Sequence, residues 1–261
     1  MSRESLRPRP RNNSLSYLER MKLALVQFRS TTGNLADNSA RHQQWIRRAK
    51  AAGAKLVVFP ELSLTAYEPE LADKLAVAPD DQMWENWQEF CQNEQVSFAL
   101  GMPIRQPKGI EIGLVLFQPD QKHQIYSKQY LHADEEPYFA SGKGWDGCWQ
   151  EVGVAFAICY ELSVPAHAER AHQCEASIYL ASVAKFENGI TPTHQRLAAI
   201  AKQYQMTTLM VNAIGEADGG LCVGQSAVWD KSGRCINCTD DQQESLLLFD
   251  TATGHSEIVL V

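Results

Sequence analysis

Apolar runs and amphipathic stretches alternate along most of the chain. Lys22–Phe28 and Lys55–Phe59 are short and rich in apolar, β-branched residues, which is typical of buried strands. Between them, Asp37–Ala52 carries apolar residues at helical spacing and predicts a helix that Asp37 caps and Gly53 ends. The first part of the chain therefore predicts a strand–helix–strand unit.

The alternation continues to the C-terminus, with one group of consecutive strands. Turns at Pro103–Gly109 and Pro119–Gln121 separate three apolar segments and predict antiparallel hairpins. The further predicted strands are Ser97–Met102, Glu111–Phe117, Gln124–Lys128, Glu151–Ile158, Ala176–Ala181, Thr208–Asn212, Gly224–Trp229, Ser245–Phe249 and Glu257–Leu260, and the further helices are Asp81–Gln95, Pro165–Cys174 and Thr193–Tyr204. This order predicts an α/β fold in one domain over residues 21–261, a four-layer αββα sandwich with two mixed β-sheets flanked by helices.

The first twenty residues, MSRESLRPRPRNNSLSYLER, do not share this pattern. They are rich in Arg, Ser and Pro, and they lack the apolar core of a secretory signal. Glu4, Glu19 and the prolines also argue against the amphipathic helix of a transit peptide. We therefore expect residues 1–20 to form a flexible tail, with Met21 as an alternative start of the protein.

Composition excludes several classes of function. The 261 residues carry a formal net charge of −7 without a basic stripe, so we expect neither nucleic acid nor an anionic membrane as a partner. No run of about 18 apolar residues predicts a membrane span. The seven cysteines are scattered and odd in number, which favours a reducing, cytoplasmic location. No metal-ligand cluster or phosphate loop stands out, so we expect no metal, no cofactor and a small diffusible substrate.

Three reactive residues follow predicted strands: Glu61, Lys128 and Cys159. Each alone has a plainer interpretation, as a core cysteine or a surface charge. If the strand ends converge, the three residues bring a carboxylate, an ammonium and a thiol into one candidate catalytic site. A cysteine thiol is mostly protonated at neutral pH, so a carboxylate has to take its proton during attack. An ammonium can then stabilise the oxyanion, a contribution of roughly 3–4 kcal/mol. The set predicts acyl transfer through a thioester.

The segments around these residues resemble the nitrilase, or carbon–nitrogen hydrolase, superfamily, in its amidase-like branch. They are FPELSLTAY (59–67), IYSKQYLHADEEPYFASG (125–142) and ICYELSVPAHAERA (158–171), with further similarity in ALVQF (24–28), VNAIG (211–215) and GQSAVWDKSGR (224–234). The three main motifs occur in the family's order, and the resemblance covers nearly the whole chain. It departs at Ala66, where the family often has glycine, and at Glu161, where aspartate is more familiar.

The resemblance implies a role for each reactive residue. Glu61 is the general base, Lys128 the oxyanion-stabilising cation and Cys159 the nucleophile. The family places a second glutamate after the lysine, and here two candidates adjoin. We prefer Glu135 because the spacing to the following residues matches the family, and Glu136 remains the alternative.

The resemblance also implies a substrate pocket and an assembly. Tyr67, Tyr160 and Glu136 are the candidate substrate-binding residues, and the Tyr160 N–H completes the oxyanion pocket. Relatives pair through helices that flank the sandwich, so a homodimer or higher homo-oligomer is expected, through the helices near 165–175 and 193–204.

The leading hypothesis is hydrolysis of a small, linear, non-peptide carboxamide, which releases ammonia and a carboxylate. A nitrilase, an N-carbamoyl amide hydrolase and an ω-amidase are alternatives within the superfamily, and the compact length favours an amidase by analogy. Two alternatives belong to other classes of protein. One is a thiol redox protein that uses Cys235 and Cys238, although their β context argues against it. The other is a non-catalytic binding or scaffold protein.

Overall fold

Two β-sheets and their flanking helices account for most of the fold in the computed structural model, which describes residues 21–260. The predicted tail over residues 1–20 lies outside the described residues. The helices are α1 (Leu35–Ala51), α2 (Ala72–Leu75), α3 (Gln82–Glu94), α4 (Pro165–Gln173) and α5 (Glu187–Tyr204), with 3₁₀ turns at Pro69–Leu71 and Cys159–Ser163.

The strands come in two groups along the chain. In the first half they are β1 (Lys22–Gln27), β2 (Leu56–Val58), β3 (Ser97–Gln106), β4 (Gly109–Gln118) and β5 (Gln121–Ser127). In the second half they are β6 (Cys148–Trp149), β7 (Val154–Ile158), β8 (Ile178–Val183), β9 (Thr207–Asn212), β10 (Ile214–Ala217), β11 (Gly220–Val223), β12 (Ala227–Trp229), β13 (Cys235–Cys238), β14 (Ser245–Asp250) and β15 (Ser256–Leu260).

Both large sheets mix parallel and antiparallel pairs. The first has seven strands in the order β15-β14-β1-β2-β3-β4-β5, with β1, β2 and β3 parallel. The second has six strands in the order β13-β12-β9-β8-β7-β6, with β7, β8 and β9 parallel. Strands β10 and β11 form a separate two-stranded ribbon. The predicted α/β fold with two mixed sheets is confirmed.

The side chains of β1 point alternately to its two faces, and this shows how the layers pack. Leu23 and Leu25 belong to the core cluster that includes the strands of the second sheet. Ala24 and Val26 point the other way and pack with the tryptophans of α1 and α3. Because successive side chains of a strand face opposite sides, one strand contributes to the core between the sheets and to the core beneath the helices.

Some element boundaries differ from the predictions. The α1 cap is Asn34, whose side chain accepts from the Asp37 N–H, so Asp37 lies in the first turn instead of capping it. β3 continues through Pro103 to Gln106, and the predicted turn at Pro103–Gly109 is shorter. Pro103 is tolerated because it lies beyond the last residue of β3 that pairs with β2, so no neighbour there needs its N–H. The α5 helix begins at Glu187 instead of Thr193.

Candidate active site

The Glu61 turn follows β2 and is fixed from two sides. On one side, the Ser63 hydroxyl lies 3.0 Å from His42 Nε2 on α1, and the other ring nitrogen of His42 is 2.7 Å from the Asn38 carbonyl. Since a carbonyl only accepts, His42 Nδ1 carries the proton and Nε2 accepts from Ser63. On the other side, a Cβ on Gly101 would lie 2.3 Å from the Leu62 nitrogen. The turn therefore packs directly on the backbone of β3.

Lys128 directly follows β5 and is fully buried between two carboxylates. Its ammonium donates to Glu61 Oε1 at 2.7 Å and to Glu135 Oε1 at 2.5 Å. Glu135 also accepts from the Tyr67 hydroxyl at 3.0 Å and from the His132 backbone N–H at 2.8 Å. Two carboxylates thus hold the ammonium, and two further donors hold Glu135 in place. These contacts satisfy charges that would otherwise be costly to bury.

Cys159 directly follows β7 and begins the 3₁₀ turn. Its φ is 42°, in the left-handed region that residues other than glycine rarely adopt, so the backbone is strained at Cys159. Cys159 is buried, with 8% of the residue exposed. Glu161 holds the turn, because its carboxylate accepts from the Ile158 N–H at 2.7 Å and from the Gln129 N–H at 2.6 Å.

The charges of this cluster shift one another's pKa values. Burial raises the pKa of Glu61, although the Lys128 ammonium acts against the rise. Burial likewise raises the pKa of Cys159 to about 11, and the charge of Glu61 adds to the rise. Burial alone would lower the pKa of Lys128, but the negative charges of Glu61, Cys159 and Glu135 outweigh it and raise that pKa. The resting site therefore contains a charged lysine and a protonated thiol.

The second oxygen of the Glu61 carboxyl is a further feature of the site. Within residues 21–260, Glu61 Oε2 is buried and has no hydrogen-bond partner. A buried carboxylate oxygen without a donor is an unfavourable state that protonation relieves. This oxygen can therefore accept a proton.

The structure separates the predicted site residues into two sets. Glu61, Lys128, Glu135 and Tyr67 form one hydrogen-bonded cluster, and Cys159 lies close enough for their charges to act on its thiol. Glu136 is exposed and does not join the cluster, so Glu135 occupies the position predicted for the supporting carboxylate. The half-buried Tyr160 ring packs edge-on against His132. The catalytic roles of these residues stay predictions.

Sequence reasoning missed Lys185. It follows β8, the strand that runs parallel to β7, and its charge acts on the Cys159 thiol. The sequence did contain a signal, because a lysine after a fully buried strand occupies the same kind of position as Lys128. It was not singled out because its segment did not belong to the three recognised motifs.

Other clusters of reactive groups lie apart from these residues. Asp146, Cys148 and Cys174 place one ligand atom each within 4.8 Å of the others, and they are the group in the described part of the chain that could hold a metal ion. Their closeness has an ordinary explanation in a thiol–carboxylate contact of 3.8 Å. Cys235 and Cys238 lie on β13, not at the helix N-terminus that a thioredoxin-like motif uses.

Comparison with known proteins identifies the family. A family model described as carbon–nitrogen hydrolase matches residues 22–253. The chain belongs to the carbon–nitrogen hydrolase family. This confirms the resemblance seen in the three motifs. Among the residues that the structure describes, no helix is both long and apolar enough to cross a membrane.

Curated relatives of this carbon–nitrogen hydrolase fall into two kinds. An (R)-stereoselective amidase from Pseudomonas sp. is 26% identical over 221 residues, which are 83% of this chain and 80% of the relative. A glutamine-dependent NAD(+) synthetase from Acinetobacter baylyi is 23% identical over 231 residues, which are 83% of this chain and 41% of the relative. The chain thus spans less than half the length of the synthetase it matches.

Solved structures show the same fold. A mutant of the amidase from Nesterenkonia sp. AN1, with the acetamide moiety of fluoroacetamide added at its active-site cysteine, superimposes with a TM-score of 0.77 at 20% identity. The match covers 88% of this chain and 90% of that one. Another mutant of that amidase, in complex with butyramide, gives a TM-score of 0.76 over the same shares. At this identity the likeness concerns the fold.

Proposed function

We propose that this carbon–nitrogen hydrolase cleaves small linear carboxamides through a thioester on Cys159. The observation that carries the proposal is the convergence of Glu61 and Lys128 with Cys159, a carboxylate and an ammonium whose charges act on one thiol. The relatives support an amide substrate, since an amidase matches most of the chain and a structural neighbour binds butyramide.

The first half of the reaction acylates the cysteine. As the Cys159 sulfur attacks the amide carbon, its proton passes to Glu61 Oε2 and the carbonyl electrons move to oxygen. The Lys128 ammonium, fixed by two carboxylates, stabilises the resulting oxyanion. Glu61 then returns the proton to the amide nitrogen, the C–N bond breaks and ammonia leaves. A thioester remains on the sulfur.

The second half regenerates the enzyme. Water attacks the thioester carbon while Glu61 takes one of its protons. The C–S bond then breaks and the proton on Glu61 passes to the sulfur. The product is a carboxylic acid that ionises at neutral pH. Because the carboxyl of Glu61 is buried and its pKa is raised, it can take up a proton as a base and then return it as an acid.

Ammonia release from a substrate panel tests the proposal. The panel contains acetamide and butyramide, L-glutamine because of the glutamine-dependent relatives, and one nitrile and one N-carbamoyl compound for the alternative reactions. The wild type should release ammonia from an amide, and Cys159→Ala should reduce this to background. Cys235→Ala, at an exposed thiol, should keep full activity and also test the redox alternative.

Each alternative has its own outcome in this experiment. Full turnover by Cys159→Ala on an accepted substrate would end the proposal. Activity on the nitrile alone would replace the amide by a nitrile as the substrate class. An acyl adduct on the Cys159 peptide in mass spectrometry of the quenched reaction would exclude a purely scaffolding role.

We also propose that the protein works in a reducing, cytoplasmic compartment. All seven cysteines are free thiols, and five of them are at least partly buried. A chain of this size does not need disulfides for its stability. Fractionation of the native cells, with the protein detected in the soluble fraction, would test the location.

A further inference from the structure

Lys185 lies at the same edge of the second sheet as the nucleophile. Strands β7 and β8 are parallel neighbours, and Ile158 pairs with Ser182 in their register. The residue after Ile158 is Cys159, and Lys185 follows three residues after Ser182. Because the carboxyl ends of parallel strands meet at one edge of the sheet, the two side chains come together there.

The backbone of Lys185 is held by a fully buried asparagine on β9. Asn212 Oδ1 accepts from the Lys185 N–H at 2.7 Å, and Asn212 Nδ2 donates to the Lys185 carbonyl at 3.2 Å. The same amide nitrogen donates to the Gly224 carbonyl at 2.7 Å, and the Val223 N–H donates to the Lys185 carbonyl at 3.2 Å. Hydrogen bonds therefore hold the Lys185 backbone on both sides of its Cα, which fixes the point from which the side chain extends.

The Lys185 side chain is half-buried at the sheet edge where Cys159 lies. The charges of its ammonium and of the Cys159 sulfur act on each other. Within residues 21–260, no carboxylate oxygen lies within 4.0 Å of it, in contrast to Lys128, which has two. A half-buried ammonium without a carboxylate partner is unusual, because burial of a charge is costly unless the charge is paired. The sulfur is the partner that the site offers.

We propose that Lys185 is a second catalytic cation of this hydrolase, whose ammonium hydrogen-bonds the Cys159 sulfur and stabilises the thiolate formed during attack. The inference rests on the proposed cysteine chemistry and extends it. In this proposal the two lysines stabilise different negative charges, because they lie at different positions in the site. Glu61 and Glu135 hold the ammonium of Lys128 for the oxyanion, and Asn212 holds the backbone of Lys185 at the sheet edge beside the sulfur.

The charges of the site agree with this division. Burial raises the pKa of Cys159 to about 11, and of the two ammonium groups Lys185 counteracts the rise more strongly than Lys128. In turn, the negative charge of Cys159 is the largest cause that raises the pKa of Lys185. Lys185 keeps its protons throughout. The thiol proton passes to Glu61, and the ammonium only donates a hydrogen bond to the sulfur that has lost it.

Alkylation of Cys159 tests the inference without any substrate. Iodoacetamide reacts with the thiolate, and mass spectrometry of the Cys159 peptide separates this residue from the other six cysteines. Between pH 7 and 9 the wild-type rate should rise with pH. Lys185→Gln and Lys185→Met should lower the rate roughly three- to tenfold at each pH, because losing an adjacent cation disfavours the thiolate while a more basic thiolate is somewhat more nucleophilic. Lys185→Arg should stay close to the wild type.

Lys108→Gln is the matched control, because it removes one positive charge from the exposed turn between β3 and β4. Its alkylation rate should equal that of the wild type. Circular dichroism identifies any variant that fails to fold, and the Met variant keeps the length of the side chain in case Gln does not. Unchanged Cys159 alkylation in folded Lys185→Gln or Lys185→Met would overturn the role of Lys185. The proposed hydrolase would survive that result, since it depends on Cys159→Ala instead.

Discussion

Backbone conformation at single residues shapes the site. Leu62, Ala66 and Cys159 have φ angles of 51°, 66° and 42°, all in the left-handed region. An L-residue pays about 1–2 kcal/mol for this conformation. Ala66 stands where the family often has glycine, and its positive φ explains that preference. Leu62 directly follows Glu61, and Cys159 is itself a candidate catalytic residue, so the strained backbone lies at the site. The surrounding hydrogen bonds maintain this strain.

Glu135 and Glu136 form a matched pair of substitutions. Glu135 accepts from three donors, so Glu135→Gln places an amide N–H against one of them. We expect a loss of about 1–3 kcal/mol in the free energy of unfolding and roughly 100-fold in kcat, since Lys128 loses its alignment. Glu136→Gln, at an exposed position, should match the wild type in both. Urea unfolding and ammonia release measure the two quantities. Equal effects of the two substitutions would contradict the placement.

Gly101 is required for the position of the Glu61 turn. Gly101→Ala brings a Cβ to 2.3 Å from the Leu62 nitrogen and 2.6 Å from the Pro60 carbonyl oxygen. Both atoms are backbone, so the turn itself has to move. We expect about 1–3 kcal/mol of destabilisation together with a loss of activity. Gly254→Ala serves as the control for turnover only, since no atom lies within 4 Å of its added Cβ but its φ of 69° strains any L-residue placed there. A Gly101→Ala protein with wild-type turnover would show that the turn is not held by this contact.

At the scale of elements, the functional turns are connected by buried side chains. Glu161 joins the Cys159 turn to the segment after Lys128, and it also accepts from the Tyr126 hydroxyl at 2.7 Å. His167 Nδ1 and Nε2 each lie 2.7 Å from a tyrosine hydroxyl, that of Tyr179 and that of Tyr126. Because Tyr126 donates its proton to Glu161, His167 donates from Nε2 and accepts from Tyr179. This chain of hydrogen bonds couples α4 to the nucleophile turn.

The ionisation of Glu161 predicts a pH effect on stability. Burial raises its pKa from 4.5 in the unfolded chain to about 7 in the folded protein. The folded state therefore binds more protons between these values, and the contribution of Glu161 to stability falls as pH rises from about 4.5 to about 7. Between pH 5 and 7.5, the wild type should lose about 1–3 kcal/mol in free energy of unfolding relative to Glu161→Gln.

Urea unfolding of both proteins at the two pH values measures this difference. Glu89→Gln, on the exposed face of α3, controls for the loss of one carboxylate and should track the wild type at both pH values. The quantity compared is the change in the free energy of unfolding with pH. The hydrogen bonds that the amide of Glu161→Gln cannot make lower its stability equally at both pH values, so they do not affect this comparison. A gap between wild type and Glu161→Gln that stays constant with pH would contradict the prediction.

At the scale of the whole molecule, the two sheets contribute different residues to the candidate active site. Glu61 and Lys128 follow strands of the first sheet, and Cys159 and Lys185 follow strands of the second. The sheets are connected at this edge, because the buried Ser182 hydroxyl donates to the Phe59 carbonyl at 2.9 Å. The site consequently depends on the packing of one sheet against the other, and not on either sheet alone.

We expect assembly into a homodimer or a higher homo-oligomer. The predicted interface lies on the helices near 165–175 and 193–204, which correspond to α4 and the second half of α5. Light scattering coupled to size-exclusion chromatography should give a mass of at least twice 29.2 kDa. Charge-reversing substitutions at Glu169 and Arg196, exposed on these helices, should lower it. Particles of 29.2 kDa alone would contradict the expectation.

The sequence by itself predicted most of the elements and the three candidate catalytic residues. Strands such as β7 were predicted because a continuous apolar run is a local property of the chain. Glu61, Lys128 and Cys159 were found for the same reason, since each follows such a run within a recognisable motif. The boundaries at Pro103 and at the start of α5 were missed. They depend on which neighbour needs a hydrogen bond, and a linear pattern does not contain that information.

Only the tertiary structure decided which side chains meet. Glu135 and Glu136 are adjacent and chemically identical, and burial against Lys128 and Tyr67 distinguishes them. Lys185 lies 26 positions after Cys159, and only the parallel pairing of β7 with β8 brings the two residues to the same edge of the sheet. The energies of charges and hydrogen bonds depend on distance in space and on exclusion of water, and both arise when the sheets pack.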